Sequence, residues 1–495
     1  MAYTRAYTWA YTWPAAPLMY GLTTRGADLI LYDIVDGIGR TVEGATQSVT
    51  GVFEPTIRLG VTGLSRAGKT VFITSLIANL IDRARMGQLR AAADGGIQTA
   101  YLHPQPDDTI PRFDFETHLA ALTGADPHWP MSTRSISELR LSMRVQPTGL
   151  MGMVSGPRTV HLDIVDYPGE WLLDLGLMDK SYAEWSQEAL TRADGRDAGA
   201  AFVALARSSD GGVKLDEPQA KRFAEAYTAY LQAIRDAGFS DYTPGRFLLP
   251  GDLAGSPVLT FAPLPAPEKS RRGSLYREFE RRFEAYKSKV VKPFFRDHFS
   301  RIDRQVVLVD ALGAIHAGPQ AVDDLRTAMA DILGAFRPGA NAWLSKFLFG
   351  KRVEKILFAA TKADHLHHSQ HGRLTAIMEA LLREARDRAD FAGAKTQAMS
   401  IAALRATTED HLQGLDVVRG RLIDTGKQAA FYPGDLPSDP AKIIGAARDG
   451  AQGWLDAEYS VMNFAPAKLD LAPGEGPPHI RLDRAAEFLI GDRLR

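Results

Sequence analysis

Gly63-Leu64-Ser65-Arg66-Ala67-Gly68-Lys69-Thr70 sets a glycine, four residues, then Gly-Lys-Thr, the spacing of a phosphate-binding loop. The glycines admit backbone angles that turn successive N–H groups around phosphate oxygens, Lys69 adds a mobile cation, and Thr70 offers a hydroxyl to Mg²⁺. The expected nucleotide contacts here are Ser65, Arg66, Ala67, Gly68, Lys69, Thr70 and Val71. Arg66 reads equally as a phosphate contact in cis or as a surface salt bridge.

Two further groups follow in an order that suits the same chemistry. Asp166-Tyr167-Pro168-Gly169 closes a strand-like run, where an acid can hold a Mg²⁺ water and a glycine three residues on can offer its N–H to a γ-phosphate. Thr361-Lys362-Ala363-Asp364 closes another. One carboxylate, Asp364, can accept from both N1–H and the 2-amino group of guanine, a donor pair that adenine lacks. Lys362 can lay its alkyl stem along base and ribose, and the small residues Ala402 and Ala403 can bring backbone to the O6 edge. His365, His367, His368 and His371 follow at spacings that could place nitrogens on one helical face for a metal. No carboxylate triad or thiolate accompanies them, so the expectation is a solvated loop.

These residues need particular elements to position them. Thr56 to Thr62 alternates and is rich in β-branched residues, as a strand should be, and Phe72, Ser75-Leu76 and Asn79-Leu80 recur at helical spacing behind the loop. Strand, glycine loop and helix aim a helix N-terminus at phosphate. Leu139–Val145 and Thr159–Asp166 read as an antiparallel hairpin, Gln305–Asp310 and Lys355–Ala360 as buried parallel-type strands around a helix over 318–336, and Gln397–Ile401 as a further strand. Residues 86–135, dense in Gly, Pro, Asp and His, read as one long loop. From 171 to about 300 the chain turns helical. Phe223, Tyr227, Leu231 and Ile234 form one apolar stripe and Tyr276, Phe279, Phe283 and Tyr286 another, both expected as core, with Pro293 kinking or ending the second helix and 241–267 as loop.

The fold class expected is α/β: a P-loop domain with a mostly parallel sheet, a large helical insertion and a C-terminal extension. The segments are 1–52 (tail and helical arm), 53–172 (first part of the nucleotide domain), 173–302 (helical insertion), 303–415 (second part) and 416–495 (extension packed on the core). The repeat at 2–13 is too short for any repeat architecture and reads as a disordered tail. Residues 24–50 read as an amphipathic arm that packs on the core or lies on a membrane surface, and a polar face without Lys or Arg favours the core.

Composition narrows the function classes. Among 495 residues the formal net charge is −1, which argues against nucleic acid as an obligate partner. The absence of cysteine removes disulfides, thiolate nucleophiles and zinc–thiolate sites. No apolar run reaches the roughly 18 residues of a membrane span, and the start lacks a basic-then-apolar leader, so a cytoplasmic, possible peripheral, location is expected.

On Gly60–Phe72, Asp166–Leu172, Phe358–His365 and Pro478–Asp483 the sequence resembles the YcjX-like family of bacterial P-loop proteins, over roughly 50–495. The resemblance implies a Ras-like fold with a helical insertion, Mg²⁺-dependent GTP binding and hydrolysis to GDP, and a loose association with envelope stress. Thr361 stands where guanine readers usually carry Asn. Glu170 occupies the place of the water-orienting Gln of small GTPases, and Thr133 is the candidate switch residue closing over Mg²⁺. With these, Lys69, Glu170 and Thr133 are the expected catalytic residues, Thr70 and Asp166 the metal ligands, and a protein partner is expected at the insertion. The alternatives are a P-loop ATPase and a GTP-gated scaffold with negligible turnover.

Overall fold

The computed structural model describes residues 54–64, 67–131, 135–147, 156–298, 301–335, 353–388, 394–448 and 463–495. The tail and arm expected over 1–52, Ser65, Arg66 and Thr133 lie outside the described residues.

Seven strands form one sheet in the order β2-β3-β4-β1-β5-β6-β7. They are β1 (Thr56–Gly63), β2 (Ile97–His103), β3 (Ser137–Val145), β4 (Arg158–Asp166), β5 (Arg304–Val309), β6 (Lys355–Ala360) and β7 (Lys395–Ser400). Strands β4, β1, β5, β6 and β7 run parallel, while β3 pairs antiparallel with both β2 and β4. The β3–β4 hairpin is the one anticipated from sequence. Strands enclosed on both faces must be apolar at successive positions, and β5 and β6 show this directly. Val306, Leu308, Leu357 and Ala359 face one layer, and Val307, Val309, Ile356, Phe358 and Ala360 face the other.

The first layer holds α1 (Lys69–Ile81) and the last long helix, α9 (Leu482–Ile490), whose Leu482, Ala485 and Leu489 pack on the sheet. The C-terminal tail thus folds onto the core. The second layer is built by α3 (Tyr182–Asp194), α4 (Glu217–Asp236), α5 (Leu275–Tyr286), α6 (Ala311–Ala317), α7 (Pro319–Ala335) and α8 (His368–Arg388). The two aromatic stripes meet inside it: Trp185 stacks on Phe283 at 5.0 Å between centroids and meets Tyr227 edge-on at 5.9 Å. Both stripes are buried, and their core is continuous with one sheet face instead of closing on itself. Behind α5 the ladder widens to an i→i+5 turn at Lys287–Val291 before a helix at Lys292–Asp297, which accommodates the missing N–H of Pro293.

Three expectations are corrected. Residues 86–135 are not one loop: they contain β2 and α2 (Phe115–Thr123), N-capped by Asp114. β2 is an edge strand held by backbone pairing with β3 and half exposed, so its sequence carries little hydrophobic alternation. A second sheet of β8 (Thr407–Leu412), β9 (Leu415–Arg421) and β10 (Gln428–Phe431) crosses the segment boundary placed at 415/416, because β8 and β9 form one antiparallel hairpin around Gln413-Gly414. The histidine run is not a solvated loop either. His365 is half-buried with its ring against Phe464 and His371 is buried with its Nε2 3.2 Å from Leu366 O, while His367 is half-buried and His368 exposed. No described helix is long and apolar enough to cross a membrane.

Candidate functional site

Since β1, β4, β5, β6 and β7 run parallel, their carboxyl ends lie along one edge of the sheet, and the strand order reverses direction on either side of β1. A crevice at such a switch point is where open α/β sheets bind ligands. Gly68-Lys69-Thr70 follows β1, Asp166 ends β4, Asp310 follows β5, Thr361 to Asp364 follow β6, and Ile401 to Ala403 follow β7.

Gly68 is the N-cap of α1 at φ 76°, the left-handed region that a glycine enters without a Cβ penalty, and no side chain caps the helix. Leu64 N donates to Leu308 O at 3.1 Å and Ala67 N to Leu64 O at 3.1 Å, tying the loop to β5 and to itself. Lys69 Nζ lies 2.5 Å from Asp166 Oδ1, and both are largely enclosed. Asp166 Oδ2 is buried with no hydrogen-bond partner among the described residues, as is Thr62 Oγ1. A buried carboxylate oxygen left unpaired is costly, and together with the Thr70 hydroxyl it is the hard-oxygen donor set that suits Mg²⁺. The oxygens of Thr70 and Asp166 therefore fit that ion.

Gly169 is fixed by close approach. A Cβ there would lie 2.1 Å from Gly63 O and 3.1 Å from Thr62 Oγ1, so only glycine lets the turn after β4 rest against the end of β1. Glu170 starts a short helix, Glu170–Leu173, and is buried. Burial pushes its carboxyl up, opposed by Lys69 and Arg235 and reinforced by Asp166. The same turn is tied into the helical layer. Asp174 Oδ1 accepts from Gly245 N at 2.7 Å and Oδ2 from Tyr286 Oη at 2.5 Å, while the Arg246 guanidinium sits 3.2 Å over the Trp171 ring. Burial pushes the Asp174 carboxyl up to about 7 despite these donors.

At the β6 end, Thr361 N donates to Val309 O at 2.9 Å, and Lys362 adopts φ 59°, an uncommon angle for a residue with a Cβ. Its ammonium pairs with Asp310, which also caps α6 by accepting from Gly313 N at 3.0 Å. Sequence reasoning gave Asp310 no role, and its only signal was an acid closing an apolar strand. Asp364 is buried; Oδ2 accepts from Ala406 N at 2.9 Å and its carbonyl accepts from Thr407 Oγ1, whereas Oδ1 has no hydrogen bond to described residues. The loop after β7 is thereby drawn against Asp364. Ala402 is a correction: its N–H donates to Ile480 O at 3.0 Å and its carbonyl accepts from Ile480 N at 2.8 Å, so it has no donor left for a base. The next N–H in the chain belongs to Ala403. Arg481 braces the same corner through Ser400 Oγ at 2.7 Å.

The structure thus brings Ala67 to Val71, Asp166, Gly169 and Glu170 to the ends of β1 and β4, and Thr361, Lys362, Asp364 and Ala403 to the ends of β6 and β7. The chain is similar to the protein named Ras-like GTPase YcjX from Escherichia coli (strain K12), at 37% identity over 460 residues covering 89% of this chain and 96% of that one. It is similar to the protein of the same name from Shewanella oneidensis, at 33% identity over 468 residues covering 88% and 94%. The fold is α/β and Ras-like, a mostly parallel sheet carrying a large helical insertion and a C-terminal extension. With residues 57–494 matching the family described as "YcjX-like family, DUF463", the chain belongs to the YcjX-like family.

Proposed function

We propose that this protein binds GTP with Mg²⁺ at the strand ends and hydrolyses it to GDP and phosphate as a slow regulatory switch, in the stress-linked setting that the family resemblance implies. The observation that carries this is the meeting of Lys69, Asp166 and Gly169 beside β1, with Asp364 at the end of β6. The names of the two relatives support the same activity.

Lys69 leaves Asp166 for the β- and γ-phosphates, and the N–H groups of Ala67 to Val71 close around the phosphate oxygens, with Ser65 and Arg66 completing the loop. Thr70, and Asp166 through water, would hold Mg²⁺, which would supply positive charge to offset the charge developing on the γ-phosphoryl during in-line attack by water. Gly169 N–H senses the γ-phosphate; Thr133, the switch residue the sequence offers, lies outside the described residues. Glu170 orients the water. A carboxyl pushed up by burial is more easily kept neutral beside phosphate, while its enclosure makes turnover slow. Thr361, Lys362 and Asp364 read the base, with Ala403 offering its N–H to O6.

Equilibrium binding of GTP, ATP and XTP to the wild type and to Asp364→Asn tests the base assignment. GTP preference in the wild type and a switch toward XTP in the variant are expected, since Asn donates to the 2-oxo group of xanthine. ATP binding as tight as GTP, unchanged by the substitution, would leave a P-loop ATPase. A scaffold that binds GTP with negligible turnover is favoured by one observation, the burial of Glu170 under the Gly245 backbone, where a Cβ would meet Glu170 O at 2.1 Å. Single-turnover hydrolysis separates the two. A protein partner at the helical insertion and peripheral membrane attachment belong to this proposal and are open to co-purification and vesicle sedimentation.

A further inference from the structure

His367 and His368, which the phosphate and base chemistry leaves unused, meet a carboxylate 41 residues away from the second of them. Glu409, on β8, places Oε2 2.6 Å from His368 Nδ1 and 3.8 Å from His367 Nε2. One ligand atom from each of the three lies within 4.8 Å of the others. In a tetrahedral site with metal–nitrogen and metal–oxygen bonds of about 2.0–2.2 Å, donor atoms sit a little over 3 Å apart, so small side-chain adjustments complete the set.

The surroundings have the order that a metal centre needs. His367 Nδ1 lies 3.2 Å from Asp416 Oδ2, on β9, so the tautomer that donates to Asp416 leaves Nε2 as a lone-pair donor toward Glu409. Ser369 Oγ donates to the same Asp416 oxygen at 3.2 Å, and His411 Nδ1 lies 3.1 Å from the other. Arg405 Nη2 donates to Glu409 Oε1 at 3.2 Å, which leaves Oε2 to the imidazoles. His367 is largely enclosed at 13% side-chain exposure and His368 is open at 68%, giving two anchored donors and one on the solvent side.

We propose that His367 Nε2, His368 Nδ1 and Glu409 Oε2 form a binding site for a zinc-class divalent ion, with Asp416 as the positioning residue behind His367. Two imidazoles and one carboxylate suit zinc and its neighbours rather than Mg²⁺ or Ca²⁺. The site is separate from Thr70 and Asp166. It joins β8 to the start of α8; Asp364 lies just before the His367-His368 pair and its partners Ala406 and Thr407 just before Glu409, so the ion staples the hairpin onto the segment that carries Asp364.

The test is titration of the nucleotide-free full chain with Zn²⁺ against a chromogenic chelator, in excess Mg²⁺ to mask the phosphate site, alongside Co²⁺ absorption and thermal melting. The wild type is expected to take up one equivalent of Zn²⁺, to give tetrahedral Co²⁺ bands, and to melt higher with zinc. His368→Ala and Glu409→Gln should each weaken uptake at least tenfold and abolish the melting shift, Asp416→Asn should weaken it about tenfold or more, and the exposed control His128→Ala should change nothing. His368 is exposed, so its loss leaves the fold intact and keeps the test valid. Wild-type uptake no greater than that of His368→Ala, or one equivalent bound equally tightly by His368→Ala and Glu409→Gln, would overturn the proposal.

Discussion

Asp174 links the turn carrying Gly169 to the helical layer, and its burial makes it a source of pH-dependent stability. Its carboxyl, 3.8 in an unperturbed state, is pushed up to about 7 by burial, while Tyr286, Gly245 and Arg246 pull the other way. Between those two values the folded protein retains a proton that the unfolded chain has released. Stability from this group is therefore present below about pH 4 and is lost as pH rises toward 7. The full difference corresponds to about 4 kcal/mol. Asp174→Asn isolates this term, because an amide, like a protonated carboxyl, offers one carbonyl oxygen to Gly245 N and one polar N–H group beside Tyr286 Oη. Wild type and variant should lie within about 1 kcal/mol of each other at pH 4.5, and by pH 8 the variant should be more stable by up to about 4 kcal/mol. For one cooperative unit the size of Pro55–Arg495, that is a rise of about 4 °C in Tm. Differential scanning calorimetry of both proteins from pH 4.5 to 8 measures it, and taking the difference cancels the other titrating groups. A difference that stays flat with pH, or a variant less stable at pH 8, would refute the assignment of a raised carboxyl at this position.

Lys69→Ala should abolish tight nucleotide binding and also destabilise the nucleotide-free protein by about 3 kcal/mol, since it strands the buried Asp166 carboxylate. Urea unfolding in the absence of nucleotide checks the second effect, and Lys69→Met with Asp166→Leu should recover most of it. Gly169→Ala places a methyl against Gly63 O and should cut GTP hydrolysis at least tenfold by forcing the turn away from β1; wild-type turnover with an unchanged Tm would remove the close approach from the mechanism. The Asp364→Asn switch toward XTP separates guanine reading from phosphate binding alone.

The parts of this protein legible in its residues are those whose conformation is decided locally. Gly63, Gly68 and Lys69 announce their loop because a left-handed turn and a helix start depend on a few consecutive residues. The strands β1 and β4 announce themselves by alternation and β-branched residues and β5 and β6 by apolar runs, and an acid at the end of a strand, Asp166 or Asp364, inherits its place from it. The aromatic stripes of α4 and α5 show their buried faces by helical spacing alone. What the tertiary structure decided are the pairings between segments far apart in the chain. Ala402 looked available for a base until Ile480, 78 residues on, took both of its backbone groups. Lys362 finds Asp310, the histidines find Glu409 and Asp416, and Asp174 finds Gly245 and Tyr286. The edge strand β2 exists because β3 pairs with it, not because its own residues demand a strand. The physical reason is common to all of these: a hydrogen bond or ion pair across the fold needs a single donor and acceptor at the right distance. It therefore leaves no periodicity in the sequence, whereas a helix, a strand or a glycine turn writes its geometry into every residue that forms it.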